Sequence, residues 1–77
     1  MDECTMVGKI FAESRKKKDL SQEVVSGFAV ISRTHLSDIE RGIRKPTMTT
    51  FFKICRALRI KPSEVMRKME ERLPFDF

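Results

Sequence analysis

The sequence predicts an all-α fold, a single compact domain of five short helices. Three observations predict it: apolar residues recur three or four positions apart, Ser, Thr or Pro stands where most of these segments begin, and β-sheet signals are weak. The chain has no Tyr or Trp and no Asn-Gly or Asp-Gly pair to close a hairpin. Its 77 residues can build one core and not two, so residues 1–77 are interpreted as one domain.

Helix 1 is predicted over about residues 6–18. Apolar side chains fall at helical spacing here and are followed by basic residues, which interact favourably with the negative end of a helix dipole. The apolar positions are Val7, Ile10 and Phe11, and the basic run is 15–18. Cys4 precedes this helix and is expected in a mobile terminus.

The second and third predicted helices each follow a serine that can cap a helix N-terminus. Ser21 precedes a short helix over about residues 22–29, and Ser32 precedes one over about 32–41. Gly42 comes directly after helix 3, where a residue with positive φ commonly ends a helix.

Two further helices are predicted after Pro46 and near Pro62. Thr47 is a candidate N-cap for helix 4, which is the most hydrophobic element of the chain. Proline suits the first turn of helix 5, which then presents an apolar stripe among charged residues until Pro74 interrupts it. The stripe consists of Val65, Met66, Met69 and Leu73.

Composition restricts the possible functions. Sixteen Lys and Arg against eleven Asp and Glu give a formal charge of +5, which indicates a polyanionic partner such as nucleic acid or an anionic membrane surface. A membrane role is disfavoured because the basic residues are spread over several helices and no apolar run is long enough to span a bilayer. Two cysteines without CxxC spacing and one histidine argue against zinc binding and nucleophilic catalysis. We expect a cytoplasmic protein that is not an enzyme and has no metal or cofactor.

The segment from Leu20 to Pro46, LSQEVVSGFAVISRTHLSDIERGIRKP, resembles without a gap the helix-turn-helix core of the Xre/Cro-like family of phage repressors and bacterial regulators. The similarity extends over about residues 7–66, and SRTHLSDIERG also resembles the controller proteins of restriction-modification systems. The matching positions are Leu20, Ser21, Gln22, Glu23, Ser32, Leu36, Ser37, Ile39, Glu40, Gly42 and Pro46. The resemblance implies a λ-repressor-like five-helix fold, with the motif at about residues 21–42, and a DNA-binding transcriptional regulator.

Three positions depart from the family pattern. Val30 replaces the usual Gly or Asn between helices 2 and 3, and a β-branched residue in the left-handed conformation costs on the order of 1–2 kcal/mol. A differently shaped turn is therefore left open. Arg59 replaces the usual glycine after helix 4, and Gly27 lies within helix 2 at a cost of up to about 1 kcal/mol relative to Ala.

The resemblance makes helix 3 the recognition helix. The family reads bases with the positions that Arg33, Thr34, Ser37 and Asp38 hold, although Arg33 has the alternative of a phosphate contact only. An arginine can donate two hydrogen bonds to guanine, whereas Thr34 and Ser37 suit a base or a phosphate equally. Asp38 either accepts from cytosine or orients Arg33 or Arg41.

Phosphate contacts are expected from a second set of residues. Gln22 lies at the N-terminus of helix 2, where a side-chain amide and free backbone N–H groups can bind a phosphate together. Arg41, Arg44 and Lys45 surround the end of helix 3 and suit phosphate binding, the alternative being a solvated basic loop. His35 is interpreted as a phosphate contact or simply as an exposed histidine.

The resemblance also implies contacts within the domain and between two copies. Arg15 and Glu40 match family positions that form a salt bridge between helices 1 and 3. Residues 62–77 carry more apolar side chains than one small core can bury, which predicts a homodimer joined through helix 5 and the tail. The expected interface residues are Val65, Met66, Met69, Leu73, Phe75 and Phe77.

The predicted function is sequence-specific regulation of transcription by a homodimer that binds a palindromic operator on double-stranded DNA. The alternative is a protein-interaction module, such as the antitoxin half of a toxin–antitoxin complex, in which residues 62–77 dock a different protein. No small-molecule ligand is expected in the first case.

Overall fold

The computed structural model describes residues 1–74, and these form five α-helices with no strand among them. The helices are α1 (Glu3–Lys17), α2 (Gln22–Ala29), α3 (Arg33–Glu40), α4 (Met48–Leu58) and α5 (Pro62–Arg72). The predicted five-helix, all-α fold is therefore confirmed. No helix within residues 1–74 is both long and apolar enough to cross a membrane.

Side chains cap the first four helices. Ser21, Ser32 and Thr47 each accept a hydrogen bond from the backbone N–H three residues ahead, as their positions in the sequence predict. α5 begins instead with Pro62, whose lack of an N–H costs nothing in the first turn of a helix. The starts of α2 to α5 thus follow from local sequence signals.

α1 begins at Glu3 and not near residue 6 as the apolar spacing suggested. The Asp2 carboxylate caps the helix by accepting from the backbone N–H of Thr5 at 2.8 Å. Cys4, expected in a mobile terminus, consequently lies in the first turn of α1. The signal was present in the sequence, because an aspartate followed by a glutamate suits an N-cap and an acidic first turn.

The turn between α2 and α3 keeps the left-handed residue despite its β-branched side chain. Val30 has φ 57° and ψ 46°, so the turn is not differently shaped. The N–H of Val30 donates to Gly27 O at 3.2 Å and that of Ile31 to Ser26 O at 3.1 Å, the two hydrogen bonds of a Schellman motif. Arg59 ends α4 in the same way, with φ 56°. These hydrogen bonds offset the conformational cost at both positions.

All five helices contribute to one hydrophobic core. The rings of Phe11 and Phe51 meet within it, with their centroids 5.6 Å apart. Burial raises the pKa of the Cys55 thiol to about 11, which fits the role of a small apolar residue. The largest fully buried side chains are Phe11, Ile10, Leu36, Ile39, Ile54, Leu58, Val25, Val65 and Cys55.

Val65 belongs to this core and not to the surface. Its side chain is only 1% exposed within one copy of the chain, so it has almost no surface to offer a partner. The prediction that placed Val65 at a dimer interface is corrected accordingly. The apolar stripe of α5 faces the core along one edge and solvent along the other, and helical spacing does not separate the two edges.

Gly8 allows α1 to approach the end of α3 closely. A Cβ atom at this position would overlap the carbonyl oxygen of Ile39 and lie 3.0 Å from that of Glu40. Only a residue without a side chain permits this contact. α1 therefore packs directly against the last turn of α3, at Ile39 and Glu40.

Candidate nucleic-acid interface

The N-termini of α2 and α3 lie side by side on one face of the domain. A shallow, open depression there is lined by Ser21, Gln22 and Glu23 at the start of α2 and by Arg33 at the start of α3, with Arg15 of α1 beside them. The first N–H groups of a helix have no partner within it and carry partial positive charge. The depression thus combines two helix N-termini with the exposed guanidinium group of Arg33.

A hydrogen-bonded network centred on Glu40 fixes this geometry. Arg15 Nε donates to Glu40 Oε2 at 2.8 Å and Arg15 Nη2 to Glu40 Oε1 at 3.0 Å, so the two residues form the ion pair that the resemblance implies. Arg15 Nη1 also donates to the Leu20 carbonyl at 2.8 Å. Gln22 Nε2 donates to Glu40 Oε1 at 3.0 Å, which orders the side chain expected to meet a phosphate. One carboxylate consequently joins α1, the start of α2 and the end of α3.

α3 has one buried face and one open face. Leu36 and Ile39 are fully buried in the core. The residues expected to read bases avoid that face and form two i, i+4 rows on the helix surface. Arg33 and Thr34 are exposed, and Ser37 and Asp38 are half-buried. The structure therefore brings all four side chains together on the surface of one helix.

Asp38 interacts with Arg41 in the structure. Its Oδ1 atom lies 3.9 Å from Arg41 Nη2, one helical turn further on. The Arg41 side chain is largely exposed, so this ion pair contributes little stability. Of the two partners that the sequence left open for Asp38, the structure pairs it with Arg41 rather than Arg33.

A basic loop follows α3, and we call residues 41–46 the clamp loop. It begins with a left-handed turn at Gly42, φ 77°, and the N–H of Ile43 donates to Asp38 O at 3.0 Å. Arg41, Arg44 and Lys45 are all exposed along this loop. His35 is half-buried in the first turn of α3, where its backbone N–H donates to Ser32 Oγ at 3.0 Å.

The remaining residues expected at a dimer interface lie on α5. Met66 is exposed, and Met69 and Leu73 are half-buried, while Phe75 and Phe77 fall outside the described residues. Met66 and Met69 line an open, mainly apolar groove of about 490 Å³. Its other lining residues come from the start of α1, the clamp loop and α4, and they are Asp2, Glu3, Cys4, Val7, Lys45, Pro46, Met48 and Phe51.

The described part of the chain has no obvious metal-binding chemistry. Within residues 1–74 no three His, Cys, Asp or Glu side chains are grouped to hold a metal ion.

Sequence reasoning overlooked the part played by α1, because Gly8 and the first turn act through tertiary contacts that local spacing does not reveal.

α2 and α3 are consecutive helices joined by a tight turn, and α3 has a polar outer face with basic side chains beside it. These features define a helix-turn-helix DNA-binding protein. The helix-turn-helix family model matches residues 11–65. The chain belongs to the Xre/Cro-like helix-turn-helix family, as the sequence resemblance indicated, and is a DNA-binding transcriptional regulator.

Similar proteins agree with this assignment. An uncharacterized HTH-type transcriptional regulator of Sinorhizobium fredii, y4dJ, is 37% identical over 71 residues, covering 92% of each chain. Control protein C.BamHI of Bacillus amyloliquefaciens is 36% identical over 50 residues, which are 65% of this chain and 62% of that protein. The crystal structure of the restriction-modification controller protein C.AhdI from Aeromonas hydrophila superposes with a TM-score of 0.79 at 30% identity, covering 82% of this chain and 96% of that one.

Proposed function

We propose that the protein is a homodimer that recognises a palindromic operator by placing α3 of each copy in the major groove. The observation that carries this proposal is the open face of α3, where Arg33, Thr34, Ser37 and Asp38 lie opposite the buried Leu36 and Ile39. A recognition helix needs this division between a packed face and a polar face.

Base reading falls mainly to Arg33. Its exposed guanidinium lies at the start of α3, and a bidentate contact with guanine O6 and N7 is worth about 1–3 kcal/mol of discrimination. Thr34 and Ser37 are short enough to reach a thymine methyl, a base edge or a phosphate from the same face. Asp38, whose carboxylate lies 3.9 Å from Arg41 Nη2, disfavours bases that cannot donate a hydrogen bond to it.

Phosphate contacts position the helix without reading sequence. On one side, Gln22 and the N–H groups at the start of α2 form an anion-binding corner that the Glu40 network holds in place. On the other side, the clamp loop offers Arg41, Arg44 and Lys45 to the DNA backbone. Contacts on both sides of α3 would fix its depth and direction in the groove.

The dimer is proposed to form along the groove beside α5. Met66 and Met69 expose apolar surface there, and the acidic residues Asp2 and Glu3 also line the groove. A two-fold axis through such a surface buries the methionines of both copies against each other. The proposal requires the two α3 helices to lie about one DNA turn, or ~34 Å, apart.

Selection of bound sites from random duplex DNA tests operator recognition. We expect a two-fold symmetric site bound at least about a thousandfold more tightly than random duplex. A parent protein without such a preference would contradict specific regulation, and a selected site without symmetry would contradict the palindrome.

Sedimentation equilibrium tests the dimer, alone and with the selected site. Met66→Lys is expected to shift the protein to monomer because it introduces a charge into the apolar groove. Ser63→Lys adds the same charge to an exposed position of α5 outside that groove and should leave the dimer intact. The dimer would be excluded if the parent protein sedimented only as a monomer at high micromolar concentration, both with and without operator.

A further inference from the structure

The clamp loop rests on the first turn of α1. The thiol of Cys4 donates to the carbonyl oxygen of Gly42 across 3.5 Å. A Cβ atom on Gly42 would lie only 3.0 Å from both Cα and Oγ1 of Thr5, so the two backbones are in close contact. Gly42 is the residue at which the chain leaves α3, with φ 77°. Its position therefore determines the direction in which the clamp loop departs.

The same turn of α1 borders the end of the loop. Cys4 lines the groove that Lys45 also lines, together with Asp2. Hydrogen bonds from Thr5 hold the pKa of the Asp2 carboxyl below its usual range, and nearby positive charge, including that of Lys45, lowers it further. The first turn of α1 thus adjoins the clamp loop at Gly42 and at Lys45.

We propose that Cys4 and Thr5 are positioning residues for phosphate binding: by holding Gly42 they set the course of the clamp loop, so that Lys45 meets the DNA backbone. This inference rests on the proposed function of that loop. A lysine on a loop without tertiary contacts loses conformational freedom when it binds a DNA phosphate, and this entropy loss weakens the complex. A loop already held against α1 loses less.

The double substitution Cys4→Ala/Thr5→Ala removes the thiol that donates to the Gly42 carbonyl and the Thr5 hydroxyl that lies beside Gly42. Alanine has the highest helix propensity and keeps the backbone N–H that Asp2 caps, so the start of α1 should stay helical. Because Cys4 also lines the groove of the proposed dimer, sedimentation equilibrium of this variant should match that of the parent. We expect operator and random duplex to be bound about three- to tenfold more weakly, with the slope of log K against log salt reduced by about one. The ranking of bases at each operator position should stay unchanged, since α3 is untouched.

A conservative pair of substitutions serves as the rescue. Cys4→Ser keeps a hydrogen-bond donor facing Gly42, and Thr5→Val keeps the branched shape of the side chain beside Gly42. This protein should bind both DNAs within about twofold of the parent. Ala12→Gly is the matched control: it weakens the same helix by about 1 kcal/mol at a position away from the loop, and at a temperature where the protein is folded it should leave the salt slope unchanged.

A double-mutant cycle with Lys45→Ala shows whether the two residues act through the clamp loop. In the Lys45→Ala background, Cys4→Ala/Thr5→Ala should cause clearly less additional loss than in the parent. The inference is overturned if the losses from Cys4→Ala/Thr5→Ala and Lys45→Ala are fully additive. It is also overturned if Cys4→Ala/Thr5→Ala changes the ranking of bases or binds DNA as tightly as the parent. If Lys45→Ala itself leaves binding unchanged, the phosphate role of the loop fails, and the inference fails with it. A parent that selects its operator while Cys4→Ala/Thr5→Ala changes nothing would overturn the inference alone.

Discussion

Replacement of Glu40 by alanine is expected to destabilise the fold by about 3–5 kcal/mol. The reason is the environment of its partner. The side chains of Arg15 and Glu40 are only 12% and 6% exposed, and the carboxylate accepts two hydrogen bonds from Arg15 and one from Gln22. Without Glu40 the guanidinium keeps only the Leu20 carbonyl as a partner, in a site with little water.

The size of this loss is large for so small a domain. Stabilities of about 0.05–0.15 kcal/mol per residue are typical, so the expected loss is a substantial part of the total. A second Arg–Glu pair, which joins α5 to α1, provides the control. Arg72 and Glu13 meet at the same distance, 2.8 Å, but their side chains are 37% and 48% exposed. Glu13→Ala should therefore cost about 1 kcal/mol or less.

Urea unfolding followed by far-ultraviolet circular dichroism measures both losses, which suits a chain without Trp or Tyr. Glu40→Gln keeps an acceptor for Arg15 and should fall between the parent and Glu40→Ala. If Glu40→Ala and Glu13→Ala lose the same small free energy, the argument that burial makes the Arg15–Glu40 pair essential is refuted.

Three further predictions concern backbone and burial. Gly8→Ala should lower stability against urea by about 1–3 kcal/mol or more because its Cβ would overlap Ile39 O. Gly27→Ala, with open space around its Cβ, should instead raise stability by up to about 1 kcal/mol. A change of the same sign for both would contradict the packing argument. Val30→Gly should raise urea stability by about 0.5–1 kcal/mol, since Val30 is exposed and left-handed; a loss would show that the valine packs usefully. Burial raises the pKa of the Cys55 thiol from 9.0 to about 11, so this thiol should resist thiol reagents until the protein unfolds. The stability that the neutral thiol contributes should be complete below pH 9 and be lost as the pH rises through 11. Rapid labelling of Cys55 in the folded protein would contradict its burial.

Local chemistry explains why much of the fold could be predicted from the sequence. Ser21, Ser32 and Thr47 satisfy backbone N–H groups wherever a helix follows, so they mark helix starts without tertiary information. The polar face of α3 is predictable for a similar reason, because Leu36 and Ile39 identify the buried side and leave the other to solvent.

Features that depend on tertiary contacts were not predictable in this way. The need for glycine at Gly8 arises from a carbonyl on α3, far away in sequence. Val65 and Met66 are neighbours on one apolar stripe, yet only the packing of α5 against α1 decides that the first is buried and the second exposed. The role of Cys4 beside Gly42 likewise depends on two segments that meet only in the folded domain.

The central claim, that α3 reads bases while the clamp loop binds phosphates, is tested most directly by one binding measurement. It compares Arg33→Ala and Lys45→Ala on the selected operator and on random duplex over a series of salt concentrations. Arg33→Ala should weaken operator binding by about 1–3 kcal/mol and relax the preference at one base position per half-site, with much less effect on random DNA. Lys45→Ala should weaken binding to both DNAs alike and reduce the salt slope by about one. Equal losses on both DNAs for Arg33→Ala would contradict base reading by α3.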